Sequence, residues 1–253
     1  MRLVWFVYVG GCEYWSVVFD AYGEVNRYLA RNKLPVRLVI PSSGEVMKAN
    51  DDVLSVKPGF TVMIRTGGGK VRAYSLEGII DMLHGWLVKT RHEISEIYEK
   101  YYKEKILNEN GGEGQEKNGM DKTKEKVKSP YQIPDTVIGV VSLPLVTRNP
   151  YLDFFEKFLG VQKQISGLNI VVVSASPFYH ENKLIFSERL FKAILHELGH
   201  AFGLNHCSEN CVMNPPSTIK EWDSRIPGFC SKCFLELKRN VEWKANKRDN
   251  TGI

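Results

Sequence analysis

The chain has 253 residues, 43% of them hydrophobic and 25% charged, which allows one large domain or two small ones with a sizeable core. Its formal net charge is +5, but the basic residues are interleaved with acids rather than clustered, so no nucleic-acid partner is expected. No apolar run is long enough to span a bilayer, so no membrane partner is expected either.

Leu3–Val9 is β-branched and aromatic and reads as a buried strand ending in a Gly10-Gly11 turn. The rival reading is a lipoprotein-type leader before Cys12. It would have a minimal apolar core and a single Arg, so a cytoplasmic protein is expected. From Trp15 the apolar residues Val18, Tyr22, Val25 and Leu29 fall at helical spacing, and Pro35 closes the pattern. Val36–Ile40 is a second strand, which predicts a parallel strand–helix–strand unit. Phe60–Leu76 reads as a hairpin with Gly67-Gly68-Gly69-Lys70 at its tip. That tip lacks the spacing of a phosphate loop and is read as a flexible turn.

Ser75–Leu107 predicts one long helix, or two joined near Gly85. His84 and His92 on it have no ligand pattern and are assigned to surface or packing. Lys103–Lys128 holds seven Lys and six acids with few apolar residues, too little to offset its ordering entropy, and is expected to be a mobile insertion. The expected organisation is an N-terminal part of a catalytic domain (1–102), the insertion (103–128), a metal-binding catalytic part (129–240) and a tail (241–253). Within the later part, Asp135–Val146 begins with a strand and Asn149–Gly160 is a short helix or turn. Leu168–Ala175 is a strand, Asn182–Phe186 another, and Ser187–Gly203 a helix with Ser187 as N-cap and Gly203 as stop.

That last helix carries "HELGHAFGLNHC", His196 to Cys207. It concentrates three of the chain's six histidines and one of its five cysteines. His196 and His200 are four residues apart, so both imidazoles lie on one helical face within reach of one ion. Glu197 is turned about 100° around the axis and can flank an open metal position without filling it. A left-handed residue at Gly203 would swing His206 back to the same ion. Three neutral imidazoles leave a fourth position for a water that zinc acidifies and whose proton Glu197 can take, the constellation for hydrolysis of an amide.

The cysteines form a second pattern. Cys207 and Cys211 have three residues between them, and Cys230 and Cys233 have two; both spacings suit a tetrahedral thiolate site. A redox pair at Cys230 and Cys233 would leave Cys207 and Cys211 unexplained. The two patterns interlock, since His206 and Cys207 are neighbours and would serve different ions.

The combined run resembles the metzincin clan, H-E-x-x-H-x-x-G-x-x-H with a methionine turn. Within it, the chain is similar to the archaemetzincin family, in which the third histidine leads directly into a cysteine, then a C-x-M segment and a distal C-x-x-C. Here those are His206-Cys207, Cys211–Met213 and Cys230–Cys233, and the match covers about the last seventy residues. The resemblance implies an α/β zincin-like domain with a mixed twisted sheet and an active-site helix, plus the charged insertion. It implies a catalytic zinc on His196, His200 and His206 with Glu197 as general base. It also implies a structural zinc on Cys207, Cys211, Cys230 and Cys233, with Met213 forming the turn beneath the site. The implied function is zinc-dependent hydrolysis of a peptide or protein substrate, by a monomer, with two zinc ions per chain. The alternative is a zinc-stabilised binding module with a vestigial site, which would have no need of Glu197. Substrate is expected to lie along an edge strand within Leu168–Ala175, the strongest strand near the histidine helix.

Overall fold

The computed structural model describes residues 1–10, 14–41, 61–66, 69–110, 133–147 and 160–251. The readings made for Gly11, Cys12, the hairpin tip at Gly67-Gly68, the charged stretch from residue 111 and the turn at 149–159 lie outside the described residues.

Strand β1 (Arg2–Val9) leads into helix α1 (Trp15–Arg31) and strand β2 (Val36–Val39), and β1 pairs with β2 in parallel as the pattern predicts. Helix α1 buries Val17, Val18, Ala21, Val25 and Leu29 on one stripe. Strands β3 (Thr61–Thr66) and β4 (Gly69–Ser75) form the expected hairpin. Helix α2 (Leu76–Asn110) starts with the Gly78 amide donating to the Ser75 hydroxyl. It runs unbroken through Gly85 and takes in Lys103–Asn110 of the charged stretch. Strand β5 (Thr136–Val141) and the short β6 (Leu145–Val146) follow, β6 extending the hairpin into a three-stranded sheet, β3-β4-β6. Then come β7 (Gly160–Ile165), β8 (Leu168–Ser174) and helices α3 (Lys183–Ala201), α4 (Ile219–Ser224) and α5 (Ser231–Thr251).

The main sheet has the order β2-β1-β5-β8-β7. Its first four strands are parallel and β7 is antiparallel to β8, the mixed sheet expected. Side chains alternate across it. Val4, Phe6, Ile138 and Val171 pack with α1 and α3 on one face. Trp5, Val7, Val137 and Val172 pack with α2 on the other. Both faces are covered, so the central strands read as unbroken apolar runs.

That coverage corrects two readings. The valine-rich β8 is interior, paired with β5 and β7, so it is not an edge. Among the described residues the edge beside β8 is β7, whose Gln162, Lys163 and Gln164 suit a rim rather than a centre, and β2 is the opposite edge. Asn182–Phe186 is not a strand but the start of α3. The helix is capped by Asn182, whose side chain accepts from the Leu184 amide, and Ser187 lies buried inside it. At the other end of α3, the buried Arg2 guanidinium bonds Asp135 and lies 4.7 Å from the centre of the Phe202 ring, which pins the helix terminus to the sheet.

Candidate active site

Helix α3 carries the first two histidines on a rigid element and then stops by a glycine device. Gly203 sits at φ +88°; its amide donates to His200 O, and the Leu204 amide donates to Gly199 O. These are the two bonds of a Schellman ending, and the turn aims the chain back toward the helix. From α5, Asn240 Nδ2 caps the Phe202 carbonyl at 3.0 Å. The result brings His196, His200 and His206 together, with ring centroids 4.6, 5.3 and 4.8 Å apart. One nitrogen from each lies within 4.8 Å of the others.

The hydrogen bonds fix which nitrogens face inward. His196 Nδ1 lies 2.6 Å from Val212 O, and His200 Nδ1 lies 2.8 Å from Leu204 O. A carbonyl can only accept, so both Nδ1 atoms carry the proton and both Nε2 atoms present a lone pair. Those two Nε2 atoms are 3.1 Å apart. Two lone pairs at that distance repel unless a cation lies between them. A tetrahedral ion with bonds of roughly 2.0–2.1 Å would set ligand nitrogens about 3.3–3.4 Å apart, so the residues fit one. Burial holds His196 neutral, its pKa lowered to about 4, and burial lowers His200 as well. Neutral imidazole is the form that ligates.

Glu197, next to His196 on α3, is buried. Its Oε2 has no hydrogen-bond partner among the described residues. Burial raises its pKa to about 8, close to where a group can take up and give back a proton near neutrality. The cover is the first residue of the edge strand. A Cβ on Gly160 would stand 2.6 Å from Glu197 Oε1, so only glycine lets β7 pass this close to the carboxyl.

Below the histidines, the chain from 207 to 213 folds under α3. The Cys207 amide donates to Met213 O and the Asn214 amide to Cys211 O. Met213 is fully buried, and a Cβ on Gly199 would meet its sulfur at 2.5 Å. Gly199, between the two helical histidines, is therefore where Met213 seats. Helix α4 adds Trp222, buried with its ring centroid 6.2 Å from that of His196. It is held by Arg189, which pairs with both Asp223 oxygens at 2.6 Å. Lys192, also buried, donates to the carbonyls of Trp222, Asp223 and Arg225. The Arg189 guanidinium holds the Asp223 carboxyl below its ordinary range. Spacing revealed none of Gly160, Arg189, Lys192 and Trp222. The carbonyls of Leu204 and Val212 carry no sequence signal at all, whereas Gly199 stood inside the motif.

Cys207, Cys211, Cys230 and Cys233 also converge, their sulfurs within 4.8 Å of one another. Cys207 and Cys230 Sγ are 3.9 Å apart. A tetrahedron with bonds of about 2.3 Å has edges of about 3.8 Å, so this cluster too fits an ion. Burial pushes the Cys211 and Cys233 thiols up. At Cys230 the same upward pull is outweighed by hydrogen bonds from the Cys233 backbone and the neighbouring thiols, which bring it below its ordinary value. Cys230 and Cys233 sit at the start of α5, where the helix dipole favours thiolates. The preceding turn is tied to α1 by the Phe229 amide donating to the Tyr28 hydroxyl.

The family model described as Peptidase family M54 matches residues 116–239. An archaemetzincin of Nanoarchaeum equitans is 42% identical over 122 residues, covering 40% of this chain and 72% of that protein. An archaemetzincin of Methanopyrus kandleri is 42% identical over 103 residues, covering 35% of this chain and 59% of that protein. For an archaemetzincin of Aeropyrum pernix the identity is 32%, over 39% of this chain and 54% of that protein. The chain thus spans less than two thirds of these last two relatives. The crystal structure of the Methanopyrus kandleri archaemetzincin superposes with a TM-score of 0.53 at 22% identity, over 95% of this chain and 96% of that one. A zinc-dependent peptidase from Methanocorpusculum labreanum gives 0.51 at 18%, over 93% and 99%. These likenesses establish a common α/β fold with a mixed sheet. On the sequence match, the chain belongs to the archaemetzincin family, peptidase family M54.

Proposed function

We propose that the chain is a zinc-dependent peptidase, with a zinc on His196, His200 and His206 and a second, structural zinc on Cys207, Cys211, Cys230 and Cys233. The observation that carries this reading is the pair of Nε2 lone pairs 3.1 Å apart, each fixed by a backbone carbonyl behind its ring. Zinc bound there would supply a Lewis acid and an acidified water. The rest is the work of the chain. Glu197, poised by burial, takes the proton from the attacking water and returns it to the leaving amine. Met213 and Gly199 set the floor beneath the two helical histidines. The outer edge of β7, unpaired among the described residues, offers main-chain hydrogen bonds to an extended peptide and passes it over Glu197. Main-chain pairing makes few demands on sequence, so the substrate class is a peptide or an extended protein segment.

The test is zinc analysis of the dialysed chain together with cleavage of a diverse peptide library. The expected result is two zinc per chain, with cleavage abolished by a chelator and restored by zinc. A fully loaded chain that cleaves nothing in the library would favour a binding module instead.

A further inference from the structure

The three histidines are not held alike. His196 and His200 ride on α3, and each ring is oriented by a carbonyl. His206 lies on irregular backbone past the helix and is exposed. Among the described residues its ring has no hydrogen-bond partner. Its position is therefore set by the chain on either side. On one side is the glycine turn at Gly203. On the other, one residue along, is Cys207, whose amide is fixed to Met213 O and whose sulfur belongs to the thiol cluster. The same cluster takes Cys211, next to Val212, whose carbonyl orients His196.

We propose that Cys207 and Cys211 are positioning residues: occupancy of the thiol cluster fixes the 206–213 segment and thereby sets the metal affinity of the histidine site. This rests on the reading of both clusters as zinc sites. With the cluster filled, His206 is presented at one place, and little conformational entropy is lost when it ligates. With the cluster empty, His206 keeps the Gly203 turn and the Cys207–Met213 backbone bond but loses the sulfur anchor one residue along, and the carbonyl behind His196 loses the anchor beside it at Cys211. Coupling between binding sites is reciprocal, so zinc at the histidines must tighten the cluster by the same factor.

The measurement is zinc affinity at the histidine site by competition with a chromophoric chelator. The parent chain is compared with Cys230→Ser/Cys233→Ser, which empties the cluster from the α5 side and leaves the 206–213 segment unaltered. The expected result is a histidine-site dissociation constant raised by about 5–150-fold, the usual range of such coupling. Val241→Ala, a core truncation on α5 eight residues beyond Cys233, controls for general loosening and should leave the affinity unchanged. If the double variant does not fold, the reciprocal arm decides. In His200→Ala the cluster should yield its zinc to the chelator at a correspondingly lower chelator concentration than in the parent. A histidine-site affinity within about twofold of the parent with the cluster empty overturns the proposal, as does an equal loss in Val241→Ala. So does an unchanged cluster affinity in His200→Ala. A parent chain that binds no zinc at the histidines overturns the peptidase reading itself, which is a separate result.

Discussion

At the histidine site, two of three donors stand on one helix, the third hangs from a turn, and the base beside them is buried under an edge strand. At the cysteine cluster, two donors come from that same turn and two from the first turn of α5, so four thiols close around one point. The first arrangement leaves one side open for a reactant; the second leaves none. Three histidines and a free side suit chemistry, and four thiols suit holding. The lesson is one of division of labour. A rigid helix can supply two ligands by spacing alone, but the third needs a loop, and a loop needs its own anchor. On the proposed reading, the cysteine cluster gives that loop the stiffness that α3 gives the other two.

Substitutions confined to one region test that division. Of the substitutions outside the reacting groups, Gly160→Ala should have the largest effect, and it should act on the histidine site alone. The added Cβ would meet Glu197 Oε1 at 2.6 Å, so the carboxyl must shift. A displacement near 1 Å can cost on the order of 100-fold in rate. Peptide turnover should fall by at least tenfold while both zinc ions and the melting temperature are retained. An unchanged turnover would mean that Glu197 is not held by the edge strand.

Gly199→Ala probes the floor shared by both regions. Replacing a mid-helix glycine with alanine ordinarily stabilises by about 0.5–1 kcal/mol. Here the new methyl group would meet the Met213 sulfur at 2.5 Å. Overpacking of that kind costs roughly 1–3 kcal/mol, so the sign should reverse. Thermal melting should show a drop; a gain in stability would place Met213 elsewhere.

Asn240→Ala cuts a bond between the two regions, since Asn240 on α5 caps the last turn of α3 through Phe202 O. A lost hydrogen bond of this type costs about 0.5–1.5 kcal/mol, read as a small fall in melting temperature with zinc content unchanged. The smallest effect is expected at Asp223, on the segment that brings Trp222 to His196. Its pKa is lowered from the ordinary value of 3.8 by Arg189. A depressed carboxylate stabilises above its unfolded pKa, and that stability is lost as pH falls through the folded value. The gap in melting temperature between the parent and Asp223→Asn should therefore be present at neutral pH and close below pH 3.8. A gap that stayed constant into acid would show that the difference does not come from the Asp223 charge paired with Arg189.

The two regions were legible in the sequence to different depths. The residues that converge in the two clusters could be read because ligand chemistry favours particular residue types at fixed spacing, and Gly203 because few other residues accept φ +88°. The strand–helix–strand opening and the hairpin followed from their periodicities. The start of α3 was misread because Leu184 and Ile185 are apolar yet exposed, so Asn182–Phe186 imitated a strand. The edge was misplaced because a valine run signals burial on both faces, and that is the mark of a central strand. Gly160 lay in a stretch read as a helix or turn, and its closeness to Glu197 depends on β7 returning beside β8. The carbonyls behind His196 and His200 were illegible in principle, since every residue has one.

The central claim is that Glu197 does chemistry beside a metal it does not bind. The direct test is peptide turnover by Glu197→Ala with zinc analysis on the same sample. The account predicts both zinc ions retained and turnover lowered by about 10²–10⁴-fold, the contribution of a positioned acid–base group. Turnover at the parent rate, or loss of zinc along with activity, would contradict it.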